Sequence, residues 1–108
     1  MAEKLLQINF KFSITKAEYE EAASSLAGTF AGVDGLRWKI WLLNEAENEA
    51  GGLYLFKDES SLDAFLNGPL AEQVKSHPAF GDMSAKPFDV MTEPTVTCRG
   101  PVGATARV

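Results

Sequence analysis

Histidine and cysteine are nearly absent from this chain: there is one of each in 108 residues, His77 and Cys98. A single cysteine cannot close an intramolecular disulfide, which suits a reducing compartment and predicts a cytoplasmic protein. Nothing near Cys98 would stabilise a thiolate, so it reads as an incidental thiol. One histidine and one cysteine do not make a metal site, and one histidine does not by itself argue a Ser–His–acid constellation. Basic residues are also few, 10 against 15 acidic for a net charge of −5, and they are scattered. Phosphate binding needs a concentrated basic surface, so nucleic acid is not an expected partner. The opening MAEKLLQINF lacks the apolar run of a signal peptide, and no window approaches a membrane span. Gly51-Gly52 is too short for a dinucleotide fingerprint, and there is no Walker loop.

What is present is a core. The hydrophobic fraction is 45%, and the length fits one domain. The chain is organised around Gly35 to Phe56. Leu36 to Asn44 and Leu53 to Phe56 are rich in aliphatic and aromatic residues and read as strands joined by an acidic turn over Glu45 to Ala50. Neither strand has an inert face. Leu36, Trp38, Ile40 and Leu42 alternate with Arg37, Lys39, Trp41 and Leu43, and Leu53 and Leu55 alternate with Tyr54 and Phe56. The wholly apolar row predicts a face packed on helices. The mixed row predicts a second cover, most simply a partner subunit, with a ligand cavity between subunits. Symmetric pairing about the turn sets Trp41 opposite Tyr54 and Lys39 opposite Phe56. Trp38 falls in the helix-packed core. Gly51 and Gly52 permit a bulge or a close backbone approach.

The remaining elements follow in order. Lys4 to Phe12 is a strand with a strict apolar row, Leu6, Ile8, Phe10 and Phe12. Its other row holds Gln7 and Asn9, which line the cavity if that face is covered. Thr15 to Phe30 is a helix: Thr15 and Glu18 fit a capping box, and Tyr19, Ala22, Ala23, Leu26 and Phe30 recur at helical spacing. Asp58 caps a helix from Glu59 to Asn67. Pro69 starts a further short helix that His77-Pro78 ends. Met83 to Met91 is a last strand, and Pro87 within it demands a sheet edge or a bulge. This order predicts an α+β ferredoxin-like βαββαβ fold over residues 1–91. Its four-stranded antiparallel sheet has the first and third strands in the centre. Residues 92–108 show no periodicity and read as a tail, either disordered or laid on a partner. The aromatic second face would be a large apolar patch on a monomer, which predicts a homodimer sharing a barrel.

Gly35-Leu-Arg-Trp-Lys-Ile-Trp, Glu49-Ala-Gly-Gly-Leu-Tyr-Leu-Phe56 with Asp58-Glu59, and Lys86-Pro-Phe-Asp-Val90 together resemble the YdhR-type putative monooxygenases, a branch of the dimeric α+β barrel proteins. The resemblance runs from about Leu5 to Val90. It implies a dimeric barrel and kinship with cofactor-independent monooxygenases of polycyclic phenols or quinones. Other such barrels often carry a histidine in or after the second helix, where this chain has Asn67-Gly68-Pro69.

Oxygenation without a cofactor needs a substrate that reduces dioxygen once deprotonated. The protein then supplies stacking surfaces, a base and an oxyanion partner. On that reading Trp41, Tyr54 and Phe56 stack a small planar aromatic molecule, Lys39 stabilises its phenolate, Asn9 and Gln7 hold a carbonyl or the departing proton's oxygen, and His77 is a base if its loop closes over the cavity. Each has a plainer role: aromatic core or interface, a snorkelling lysine, a loop histidine. The alternative function is a non-catalytic small-molecule-binding barrel. Gly52-Leu-Tyr-Leu-Phe56 also has the look of an RNA-recognition strand, against which the acidic balance counts. Haem breakdown is a further reading within the barrel class.

Overall fold

A computed structural model describes residues 2–103. The chain builds β1 (Lys4–Phe12), α1 (Lys16–Ala31), β2 (Leu36–Asn44), β3 (Glu49–Phe56), α2 (Glu59–Leu66), α3 (Pro69–Lys75), β4 (Phe80–Asp89) and α4 (Thr92–Thr97). The strands form one antiparallel sheet in the order β2-β3-β1-β4. This is the ferredoxin-like α+β arrangement expected, with β1 and β3 central. Pro87 lies in β4, an edge strand, where a missing N–H on the outer side leaves no ladder bond unmade.

Local chemistry sets the helix starts. Thr15 Oγ1 accepts from the Glu18 amide at 3.1 Å, and Glu18 Oε1 accepts from the Thr15 amide at 2.9 Å, the reciprocal capping box. Asp58 accepts from the Ser61 amide at 2.8 Å and starts α2. Pro69 occupies the first turn of α3. Boundaries move slightly from expectation. Helix α2 ends at Leu66, with Asn67 as its cap, and β4 runs from Phe80 to Asp89. Strand β3 begins at Glu49 and takes in both glycines, because Gly51 and Gly52 pair with Asn9 and Ile8. A Cβ on Gly51 would stand 1.9 Å from the Ile8 carbonyl oxygen, so the close approach is real.

One face of the sheet packs on α1, α2 and α3. Leu6, Ile8, Phe10 and Phe12 meet Tyr19, Phe30, Leu62 and Phe65 there. The reading of β2 and β3 is corrected at this point. Leu6 pairs with Tyr54 and Lys4 with Phe56, so Tyr54 and Phe56 share β1's buried face. Lys39 and Trp41 pair with Tyr54 and Gly52 and lie on that face too. Trp38, assigned to the helix-packed core, sits on the opposite face beside Leu55. The cause is a register shift between Leu36 and Trp38: Leu36 pairs with Phe56 and packs on the core, and one extra residue, Arg37, flips every later side chain. The hairpin register also differs by two residues from symmetric pairing, with Lys39 rather than Trp41 opposite Tyr54.

The second face, opposite α1, α2 and α3, holds Leu5, Gln7 and Asn9 of β1, Trp38, Ile40 and Leu42 of β2, and Phe88 of β4. Among the described residues, one end of it is covered by this same chain. Helix α4 occupies a stretch that had shown no periodicity, and residues 98–103 return to the sheet. Trp38 Nε1 donates to the Pro101 carbonyl at 2.7 Å, and the Gly103 amide donates to Glu3 Oε1 at 2.7 Å. Glu3 also pairs with Arg37 at 2.9 Å. Leu55 and Val102 are buried here, apart from the helix-side cluster.

Candidate functional site

The residues singled out from sequence divide among three places. Lys39, Trp41, Tyr54 and Phe56 lie between the sheet and its helices. Gln7 and Asn9 lie on the other face, bound to each other through a 2.8 Å hydrogen bond from Gln7 Nε2 to Asn9 Oδ1. The sheet separates them from Lys39, so within one chain they cannot hold the same small molecule. His77 is exposed beyond the end of α3. Its Nδ1 accepts from the Ala79 amide at 3.1 Å, and its ring stacks on Phe80 at 4.3 Å.

Lys39 is the centre of the helix-side group. Its Nζ stands 3.3 Å from the Trp41 ring centroid, 3.4 Å from that of Phe30 and 4.6 Å from that of Tyr54. Trp41 meets Phe30 edge-on at 5.3 Å, and Tyr54 packs on Phe65 at 5.2 Å, so the rings brace one another. Gly52 makes the room. A Cβ there would stand 3.0 Å from Lys39 Cε and 3.1 Å from Tyr54 Cε1. Among the described residues no hydrogen bond or ion pair reaches the amine. Burial pushes its pKa down to about 7. The ring faces act the other way, since a desolvated cation over aromatic rings gains about 0.5–2 kcal/mol. The outcome is an amine that exchanges its proton near neutrality rather than a fixed surface charge. Burial raises the Tyr54 phenol, with Tyr19 adding to the rise, and burial raises Tyr19 as well, so both stay protonated beside it.

Space is distributed around this amine. A narrow cavity of about 30 Å³, room for one water, is lined by Lys39, Phe30, Trp41 and Tyr54 with Phe10 and Phe80. Tyr19, Ala23 and Trp41 also border an open groove of about 490 Å³ between α1 and β2. Tyr54 and Val74 border a chamber of about 200 Å³ under α2 and α3, lined further by Ile8, Phe65 and Met83. Lys39 lines only the narrow cavity, and that cavity shares wall residues with both larger spaces. Phe56 is fully buried and lines none of these cavities; it is core. His77 does not line them either, although Phe80 beneath it does.

Sequence reasoning did not name Phe30, Tyr19, Ala23, Phe80 or Val74 as site residues. They had been read as helix stripe or passed over, and only the flipped phase of β2 brings Lys39 under them. Among the described residues no group of three His, Cys, Asp or Glu gathers as a metal site. No helix among them is long and apolar enough to cross a membrane.

Comparison with known proteins agrees with this architecture. A family model described as "Putative mono-oxygenase ydhR" matches residues 5–101, reaching past β4 into the C-terminal segment. No curated protein matches. Among solved structures, a Nitrosomonas europaea protein of unknown function superposes with a TM-score of 0.70 at 16% identity, covering 85% of this chain and 92% of its own. SnoaB, a cofactor-independent oxygenase from Streptomyces nogalater, gives 0.68 at 18% identity, with 87% and 99% covered. The haem degrader MhuD from Mycobacterium tuberculosis gives 0.64 at 18%, with 82% and 97% covered. At these identities the likeness is one of fold.

Proposed function

This chain belongs to the ydhR putative mono-oxygenase family, and from that premise we propose that it oxygenates a small phenol- or quinone-like aromatic compound without a cofactor. The reaction takes place between the sheet and its own helices. The observation that carries the reading is Lys39: a partly desolvated amine with three ring faces around it and no polar partner. The family description and the fold shared with a cofactor-independent oxygenase support it.

The neutral amine takes the phenolic proton of a bound substrate and becomes an ammonium beside the phenolate it has made. One residue thus serves as base and as oxyanion partner. The apolar walls strengthen that pairing by excluding water. The electron-rich anion reduces dioxygen itself. For an anthrone, the methylene between the rings becomes a carbonyl; one oxygen atom stays on the product and the other leaves as water. Trp41 and Tyr54 supply flat surfaces for the rings. Gln7, Asn9 and His77 have no part in this arrangement within one chain. A second copy packs on the open face, where Ile40 and Phe88 stand 47% and 42% exposed.

The test is oxygen consumption with anthrone under air, without flavin or metal. Lys39→Met lowers the rate by about 10²-fold or more, the usual scale for losing a general base. The wild-type rate rises with pH through about 7 as the amine loses its proton. Binding of a phenol panel with no oxygen uptake would make the protein a binding module instead.

A further inference from the structure

We infer that Lys39 is also a carbonyl-capturing nucleophile: its amine forms an imine with aromatic aldehydes or ketones that enter the helix-side cleft. The inference rests on the site just proposed but invokes a different reaction, one that needs no oxidant.

Three features of the site carry it. The amine has no hydrogen-bond or ion-pair partner among the described residues, so its lone pair is not committed elsewhere when the proton is off. It faces a space of about 30 Å³, which admits a carbonyl group and little else, while the adjoining groove and chamber take an aromatic body. Its stem is held: Cε lies over Gly52, and Nζ is fixed by Phe30 and Trp41 at 3.4 and 3.3 Å. A lysine desolvated in an apolar pocket is an activated nucleophile, and holding it still lowers the entropic cost of attack. The titratable groups around it are Tyr19 on α1 and Tyr54 on β3, with Glu20 at the outer groove and Lys75 at the chamber. No carboxylate pairs with it to hold the ammonium form.

The chemistry balances without a further reactant. The Nζ lone pair adds to the carbonyl carbon and the oxygen takes a proton, giving a carbinolamine. Its carbon–oxygen bond then breaks, water leaves, and a carbon–nitrogen double bond remains. The apolar walls disfavour the returning water and protect the imine.

The experiment is borohydride trapping of the full chain with benzaldehyde and a naphthaldehyde at neutral pH, with the modified peptide mapped by mass spectrometry. The peptide carrying Lys39 gains the reduced adduct about tenfold faster than the exposed lysines Lys16, Lys57 and Lys86, whose amines no apolar cleft surrounds. Lys39→Arg keeps a cation in the cage and abolishes the adduct; Lys86→Ala leaves it unchanged. Circular dichroism of each variant verifies that it is folded. Labelling spread evenly over surface lysines, or an adduct that survives Lys39→Arg, overturns the inference. Oxygen uptake with anthrone separates this claim from the preceding one: a wild-type chain that consumes oxygen but takes no adduct removes the nucleophile alone, and a folded wild-type chain that does neither removes Lys39 as a reactive amine.

Discussion

The two faces of one sheet are built from similar residues and end in opposite circumstances. On the helix side Leu6, Phe10, Phe12 and Phe56 are no more than 6% exposed, yet a lysine stands among them. On the open side Ile40 and Phe88 are 47% and 42% exposed, and the polar side chains of Gln7 and Asn9 share one hydrogen bond. Hydrophobicity along the strands does not distinguish the two; cover does. The buried face tolerates its misfit because the cation has rings around it and a glycine beside it. The open face exposes large apolar side chains that nothing among the described residues covers.

The sharpest way to break this comparison is to truncate one side chain on each face. Phe56→Ala, made in the packed core beside Tyr54 and Phe65, lowers unfolding free energy by about 3–5 kcal/mol in urea titration. Ile40→Ala changes it by less than about 0.5 kcal/mol in the monomer. The double variant Ile40→Asp with Phe88→Asp leaves the monomer folded but lowers the mass seen by sedimentation equilibrium, as the proposed partner copy requires. Equal losses from the two truncations would show that the faces are energetically alike. A stable wild-type monomer at micromolar concentration would remove the partner copy.

Lys39 sharpens the comparison from inside the core. Its pKa falls from 10.5 to about 7 on folding. Between those values the unfolded chain holds a proton that the folded chain does not, so stability rises with pH across that window and is reduced toward neutrality. One proton sets an upper bound of about 1.4 kcal/mol per pH unit on that slope. Partial solvent access and the ring faces bring the effect well below it. Lys39→Met keeps the volume and removes the titration. It is therefore more stable than wild type at neutral pH, by about 1 kcal/mol in urea titration, with a flatter profile up to pH 10. A variant less stable than wild type throughout would mean that the cage holds the ammonium and gains from it.

Much of the fold was legible because local signals agreed. The Thr15–Glu18 box, the Asp58 cap, Pro69 opening α3 and Pro87 on an edge strand each carry their own mechanism, and strand order follows from the βαββαβ succession of the elements they delimit. The site was legible in its residue types and not in their arrangement. Lys39, Trp41 and Tyr54 do come together, but beneath the helices. Alternation counted from Leu36 is right for Leu36 itself and wrong for everything after Arg37, because a bulge leaves no mark in hydrophobic periodicity when both rows carry large apolar side chains. The usable signal was in β1 and β3. Leu6, Ile8, Phe10 and Phe12 fix which face is buried, and antiparallel pairing places Tyr54 across from Leu6. Helix α4 and the return of residues 98–103 were illegible for another reason: what orders them is a few long-range contacts to Trp38 and Glu3.

Those contacts give the smallest of the expected effects, at the one end of the open face that the chain covers itself. Trp38→Phe keeps an aromatic ring beside Leu55 and deletes the indole donor to Pro101. A single neutral hydrogen bond contributes about 0.5–1.5 kcal/mol, and Trp38 is only half-buried, so the loss falls at the lower end of that range. The Gly103 amide remains tied to Glu3, and Glu3 to Arg37, so the segment loosens rather than leaves. Amide hydrogen exchange over residues 98–103 therefore accelerates several-fold, while exchange in the helix-side elements α1 and α2 does not change. If exchange rises equally in α1 and α2, the C-terminal segment belongs to the same cooperative unit as the core, and the two sides of the sheet are not independent.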